Sequence, residues 1–156
     1  MSNSELLSHH FQQVFFGGNW TDVNLADLLS DITIEEATTK VQSLNTIADL
    51  AFHIDYYVRA VLGVFENNIL GAHDKYSYDT PNFQNEKDWA DFKSSILLNA
   101  EKLAQGIRKL DDDRLMHDFV LSKYGSYHRN IMGLIEHTHY HLGQISLILK
   151  MVRNSG

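Results

Sequence analysis

Two histidines near the carboxyl end of the chain, His137 and His141, lie four residues apart. On a helix this spacing places both rings on one face, one turn apart along the axis. Two neutral imidazoles so placed form half of a transition-metal site. With 9 histidines in 156 residues, one such pair can arise by chance. A third ligand from another helix therefore has to complete the site.

His53 is the candidate third ligand. It lies at the edge of an apolar stripe on another predicted helix, between Leu50 and Tyr57. Three imidazoles with an open fourth position are typical of a catalytic metal site, in which the proposed reactive group is a water on the metal. No catalytic side chain is identified. Gln144, Asp49 and Tyr57 are candidates, by helical proximity, for the hydrogen bonds that orient the rings.

The composition restricts what such a site can hold. The chain has no cysteine, which excludes a disulfide framework, thiolate ligands and a cysteine nucleophile. A metal would be bound by histidine, carboxylate and water, which suits zinc, nickel, iron or copper. Zinc or nickel is the expected ion.

The charge pattern argues against several classes of partner. The net charge is −7 and the 13 lysines and arginines form no dense patch. Binding to nucleic acid or to an anionic membrane surface is therefore not expected. The amino terminus lacks a signal-peptide pattern, and no apolar run approaches the roughly 18 residues that span a bilayer. We expect one cytoplasmic domain over residues 1–156.

The hydrophobic periodicity predicts an all-α fold. Four long amphipathic helices are expected at about 4–16, 45–67, 86–110 and 126–152, with shorter helical pieces near 25–29, after Thr33 and near 111–119. The polar loop 71–85 contains the only proline and is long enough to be a crossover. These features predict a four-helix bundle with a metal site between facing helices. Gly143 is expected to let a neighbouring helix approach closely.

Two other segments match metal-binding motifs only in part. Glu136 and His139 match half of a di-iron carboxylate motif, but no second copy follows and His139 faces away from His137. The acidic run 111–113 lacks the spacing, glycine and distal glutamate of a calcium-binding EF-hand loop. A solvated helix start, favoured by the helix dipole, accounts for that run.

Three segments carry a resemblance to a known family. Residues 135–145 (IEHTHYHLGQI) resemble the last-helix signature of the DinB/YfiT-like metalloprotein superfamily. Residues 44–57, which contain His53, are similar to its second-helix motif, and residues 18–37 to its usual segment between the first helices. The resemblance covers about residues 4–152. It implies an up-up-down-down four-helix bundle, a divalent metal on His53, His137 and His141, and a homodimer.

The resemblance also implies a function. It points to a metal-dependent hydrolase, or to a transferase that uses a low-molecular-weight thiol such as bacillithiol or mycothiol, acting on a small-molecule substrate. One alternative is a non-catalytic metal-binding or stress-response bundle, monomeric or dimeric, that the metal mainly stabilises. A second is a structural bundle without metal. A fourth protein ligand would favour the structural role, whereas an open position facing a pocket would favour catalysis.

Overall fold

A computed structural model describes residues 1–155 and is all-helical, with no β-strand among those residues. The α-helices are α1 Asn3–Phe16, α2 Leu25–Ser30, α3 Ile34–Thr38, α4 Ile47–Asn67, α5 Glu86–Arg108, α6 Asp112–Leu115 and α7 Tyr127–Asn154. Two short 3₁₀ turns lie at Asp74–Tyr76 and Ser122–Tyr124. The all-α prediction is confirmed, and four of the helices are long.

The helix starts follow from local capping chemistry. Ser2 and Glu5 form a reciprocal capping box at α1, and Thr33 and Glu36 form another at α3, as their spacing predicts. Helix α4 begins in the same way, because Thr46 accepts a hydrogen bond from the backbone of Asp49 while that carboxylate accepts one from the Thr46 backbone. These side chains bind backbone N–H groups that have no partner within the helix.

The four long helices pack around one apolar core. Helix α1 packs against α5 and α7, and α4 packs against the same two helices. The largest fully buried side chains include Trp89, Phe11, Phe15, Ile54, Ile96 and Ile107. Trp89 also donates its indole N–H to the carbonyl of Ile32 at 2.8 Å. The buried polar end of this side chain is thereby satisfied.

One local prediction was confirmed and another was wrong. The short helical piece expected after Thr33 forms as α3 and ends at Thr38. Gly143 faces open space, whereas Gly106 is the glycine at a close approach between long helices. A Cβ added at Gly106 would lie 2.9 Å from the Phe65 ring. The exposed or buried position of a glycine depends on helix rotation, which its neighbours in sequence do not specify.

The segment 68–85 between α4 and α5 is attached to α4 by its own hydrogen bonds. The Tyr56 hydroxyl donates to the carbonyl of His73 and accepts from its N–H, both at 2.8 Å. The Thr80 hydroxyl donates to the carboxylate of Asp49 at 2.8 Å. This segment therefore lies along α4 on the side that carries His53. Across residues 1–155, no helix has the length and apolarity needed to cross a membrane.

Candidate metal centre

The three predicted ligands come together between α4 and α7. His53 comes from the middle of α4, and His137 and His141 come from adjacent turns of α7. His53 and His141 are buried, with only 8% and 5% of their surface exposed, and His137 is partly buried. Their ligand atoms all lie within 4.8 Å of one another, and no fourth histidine or carboxylate of the described chain joins the group.

The distances between ring nitrogens are short. Nε2 of His137 lies 3.0 Å from Nε2 of His53 and 3.1 Å from Nε2 of His141. Tetrahedral zinc with Zn–N bonds of about 2.0–2.1 Å separates its nitrogen ligands by about 3.3 Å. Two of the three separations are thus close to the one that a shared cation imposes, and the third pair of ligand atoms, from His53 and His141, lies within 4.8 Å.

Hydrogen bonds on the far side of two rings determine where their protons lie. Nδ1 of His53 donates to the carbonyl of Ser77 at 3.1 Å, and Nδ1 of His141 donates to the side-chain oxygen of Gln144 at 2.7 Å. These oxygens only accept, so each neutral ring carries its proton on Nδ1. The lone pairs on Nε2 therefore point inward, as in metal sites where an oxygen acceptor orients the ligand.

His137 cannot satisfy both of these lone pairs. A neutral imidazole carries one proton, so its Nε2 can donate to His53 or to His141 but not to both. If the proton lies on Nδ1 instead, three lone pairs face one another. That Nδ1 atom is itself buried without a hydrogen-bond partner. A cation shared by the three Nε2 atoms resolves this conflict, so the donor set fits a divalent metal.

Burial keeps the three rings neutral. It lowers the pKa of His53 and of His141 below the ordinary histidine value. For His137, burial together with the neighbouring His141 and His53 lowers the pKa to about 4. Burial disfavours the charged form because an imidazolium loses its hydration there. Neutral imidazole is the form that binds a metal, so all three rings are in the ligating state near neutral pH.

The segment 68–85 covers one side of this cluster. The Tyr78 ring stacks on the His53 ring, with centroids 4.0 Å apart and planes 8° from parallel. The Tyr57 ring meets the rings of His53 and His137 edge-on. Its hydroxyl donates to the carboxylate of Asp74 at 2.7 Å, and burial raises the pKa of Tyr57 to about 12. The rings of the cluster are thus held by aromatic neighbours as well as by hydrogen bonds.

Of the three predicted orienting residues, only Gln144 has that role. Asp49 instead caps α4 and accepts from Thr80, and Tyr57 contacts the imidazoles through its ring and not its hydroxyl. The orienting group that sequence reasoning missed is the carbonyl of Ser77. Every residue carries a carbonyl, so no side-chain pattern marks this one.

Two pockets adjoin the cluster. A pocket of about 420 Å³ reaches His141, and another of about 330 Å³ reaches His137. Arg129 and Tyr57 line the second pocket, whereas the first is lined mainly by aliphatic and aromatic side chains. Both volumes fall in the range of about 300–1,000 Å³ that is usual for small-molecule sites.

The chain matches no protein-family model, no curated protein and no solved structure. The geometry of the three histidines and their partners alone therefore indicates a metal centre.

Proposed function

We propose that this protein is a divalent-metal-dependent enzyme whose metal is bound by His53, His137 and His141. The observation that carries the proposal is the convergence of three Nε2 atoms, two of which present lone pairs because Ser77 and Gln144 accept the opposite protons. Zinc or nickel suits an all-imidazole donor set. A bound divalent ion would act as a Lewis acid and lower the pKa of a water or thiol on it.

Catalysis is favoured over a structural role by the number of ligands. Structural zinc sites are closed by four protein ligands, whereas catalytic sites keep one position open. The cluster contains three histidines and, within residues 1–155, no fourth metal-binding side chain. Pockets next to His141 and His137 provide room for a substrate. We therefore prefer hydrolysis, or transfer of a low-molecular-weight thiol, to the non-catalytic alternative.

The chain's own residues would orient ligands and hold protons. Ser77 and Gln144 keep two rings in the ligating tautomer, and Tyr78 covers the His53 ring. Tyr57, hydrogen-bonded to Asp74, stays protonated near neutral pH because its pKa is raised. This hydrogen bond keeps the Tyr57 ring against the cluster, next to His53 and His137.

We also propose membership of the DinB/YfiT-like superfamily and an up-up-down-down bundle. The support is the motif around His137 and the way the four long helices pack. Helices α1 and α4 share their neighbours α5 and α7. In an up-up-down-down bundle the first two long helices run parallel. If they lie diagonally across the bundle, as the shared neighbours of α1 and α4 indicate, every pair of adjacent helices is antiparallel. The homodimer implied by the family resemblance belongs to the same proposal.

Metal analysis tests the metal site directly. Untagged wild-type protein should contain about one zinc or nickel per chain, and a variant with His137→Ala and His141→Ala should contain almost none. Absence of metal from both proteins, even after addition of zinc at about pH 7.5, would refute the site.

Activity assays of the zinc-loaded protein test the enzyme claim. One assay follows hydrolysis of a panel of nitrophenyl esters, and the other follows transfer of a thiol to an aryl chloride. Turnover that the double histidine variant lacks supports an enzyme. Bound metal without turnover in either assay would favour the non-catalytic alternative.

A further inference from the structure

The pocket beside His141 differs from its surroundings in what lines it. Six of its lining side chains are aliphatic or aromatic: Leu44, Leu50, Tyr78, Tyr140, Leu147 and Ile148. No aspartate, glutamate, lysine or arginine of the described chain lines it. On a protein of net charge −7, a concave surface without a single charged side chain is suited to an uncharged ligand.

Several of these apolar side chains are far more exposed than the apolar side chains of the core. Tyr140 and Leu147 on α7 are 65% and 59% exposed, and Leu44 and Tyr78 are each about two-fifths exposed. All four line this one pocket, although they come from α7 and from two separate connecting segments. Large apolar side chains that gather around a cavity, and are not scattered singly, indicate a binding surface.

The pocket is continuous with the candidate metal centre. His141 and Gln144 form part of its wall, and Tyr78 both lines it and stacks on His53. A molecule that occupies this pocket therefore lies against two of the groups that build the centre. The pocket beside His137 differs, because Arg129 lines it.

We propose that the pocket beside His141 binds an uncharged aromatic or alkyl group of the substrate and so sets the specificity of the site. This inference rests on the proposed metal centre. A charged group placed there would lose hydration and meet no counter-ion, whereas an aromatic ring would bury apolar surface against Leu147 and Tyr140. The substrate class is therefore one in which a neutral hydrophobic group adjoins the metal-binding atoms.

Two probes with the same metal-binding group test the pocket. Acetohydroxamate and benzohydroxamate differ only in the apolar group, and calorimetry on the zinc-loaded protein compares their affinities. Benzohydroxamate should bind about tenfold more tightly or better, since its ring is buried. Its para-carboxylate derivative should lose that advantage. Equal affinities for the two parent probes would overturn the inference.

A matched pair of leucine variants locates the effect. Leu147→Asn should bring the two affinities close together and leave acetohydroxamate binding unchanged. Leu98→Asn is the control, because Leu98 lies on α5, is 52% exposed and lines no part of this pocket. It should keep the wild-type preference for benzohydroxamate. A preference that persists in Leu147→Asn would overturn the inference.

Two further measurements distinguish failure of the pocket from failure of the metal centre and from a contact between two chains. If zinc does not bind, the proposed function fails, and phenol titrated into the metal-free protein then tests the pocket by shifts of the Leu147 and Gln144 amide resonances. Absence of those shifts would overturn the pocket as well. Light scattering tests whether a second copy of the chain covers this face instead. If the wild-type protein is a dimer that Leu147→Asn dissociates, the face is a dimer contact and the substrate pocket is refuted.

Discussion

The contact between α1 and α5 and the contact between α4 and α7 join helices of the same core but differ in their polar groups. Where α1 meets α5, the Ser8 hydroxyl donates to the carbonyl of Ala104 at 2.7 Å, and the buried side chains around it, such as Phe11 and Ile107, are apolar. Where α4 meets α7, three imidazoles share fewer protons than their nitrogens need. The first contact is complete within the protein, whereas the second leaves lone pairs that the proposed cation would satisfy. We therefore propose that the first contact mainly stabilises the fold and that the second binds the metal.

The largest effect is expected from His53→Ala. Removal of one of three ligands should weaken zinc binding by more than the roughly 100-fold that loss of a ligand's hydrogen-bond partner can cost. Zinc should be lost although the pair on α7 remains, because two imidazoles on one helix are only half of a site. Zinc titration against a competing chelator measures the affinity. His128→Ala, which changes an exposed histidine of α7, is the control and should bind as wild type does. Unchanged zinc affinity in His53→Ala would remove α4 from the site.

Phe11→Ala should affect stability and leave the site intact. Phe11 is fully buried and its ring lies 4.8 Å from that of Phe15, so the cavity should cost about 3–5 kcal/mol of unfolding free energy. Urea denaturation measures this loss. Below its melting temperature the variant should still bind as much zinc as wild type. A large loss of zinc from the folded variant would mean that the two contacts are coupled and not separable.

Acid should destabilise the metal-free protein through the histidine cluster. The pKa of His137 is lowered from 6.5 to about 4 in the folded state, so between these values the unfolded chain binds more protons. Stability from this group is therefore complete above about pH 6.5 and falls toward about pH 4, by ~2 kcal/mol once solvent screening of this partly buried ring is allowed for. Urea denaturation of the wild type and of His137→Asn, at pH 7.5 and at lower pH, measures the unfolding free energy of each. The variant has no imidazole at this position to titrate, so it should lose less stability in acid. Equal losses in the two proteins would contradict it.

The smallest effect concerns the hydrogen bond between Gln144 and His141. Gln144→Leu removes the acceptor at 2.7 Å that holds the ring proton on Nδ1. Zinc affinity should fall about 10- to 100-fold, as measured by chelator competition. Gln144→Glu keeps an acceptor and should retain or improve the affinity. If Gln144→Leu binds zinc like wild type, the tautomer of His141 does not depend on this residue.

The long helices and their starts were predictable because their causes are local. The capping boxes at Ser2 and Thr33 involve residues three positions apart, and both form as their spacing predicts. The apolar periodicity placed the four long helices to within a few residues. The rotation of each helix about its own axis was harder to predict. Gly143 faces open space, and the glycine at the close approach of two long helices is Gly106. Whether one small residue is buried depends on which helix packs against it, and the sequence around that residue does not specify this.

The sequence by itself determined that His137 and His141 share a helical face, that no thiolate can take part, and which stripes of the helices are apolar. These properties depend on neighbours within a turn or two and on composition. Only the tertiary structure decided that His53, 84 residues away, meets His137 at 3.0 Å, that a backbone carbonyl at Ser77 orients it, and that an uncharged pocket opens beside His141. The physical reason is that the relative depth and rotation of α4 and α7 follow from packing of the whole core, which no single segment encodes.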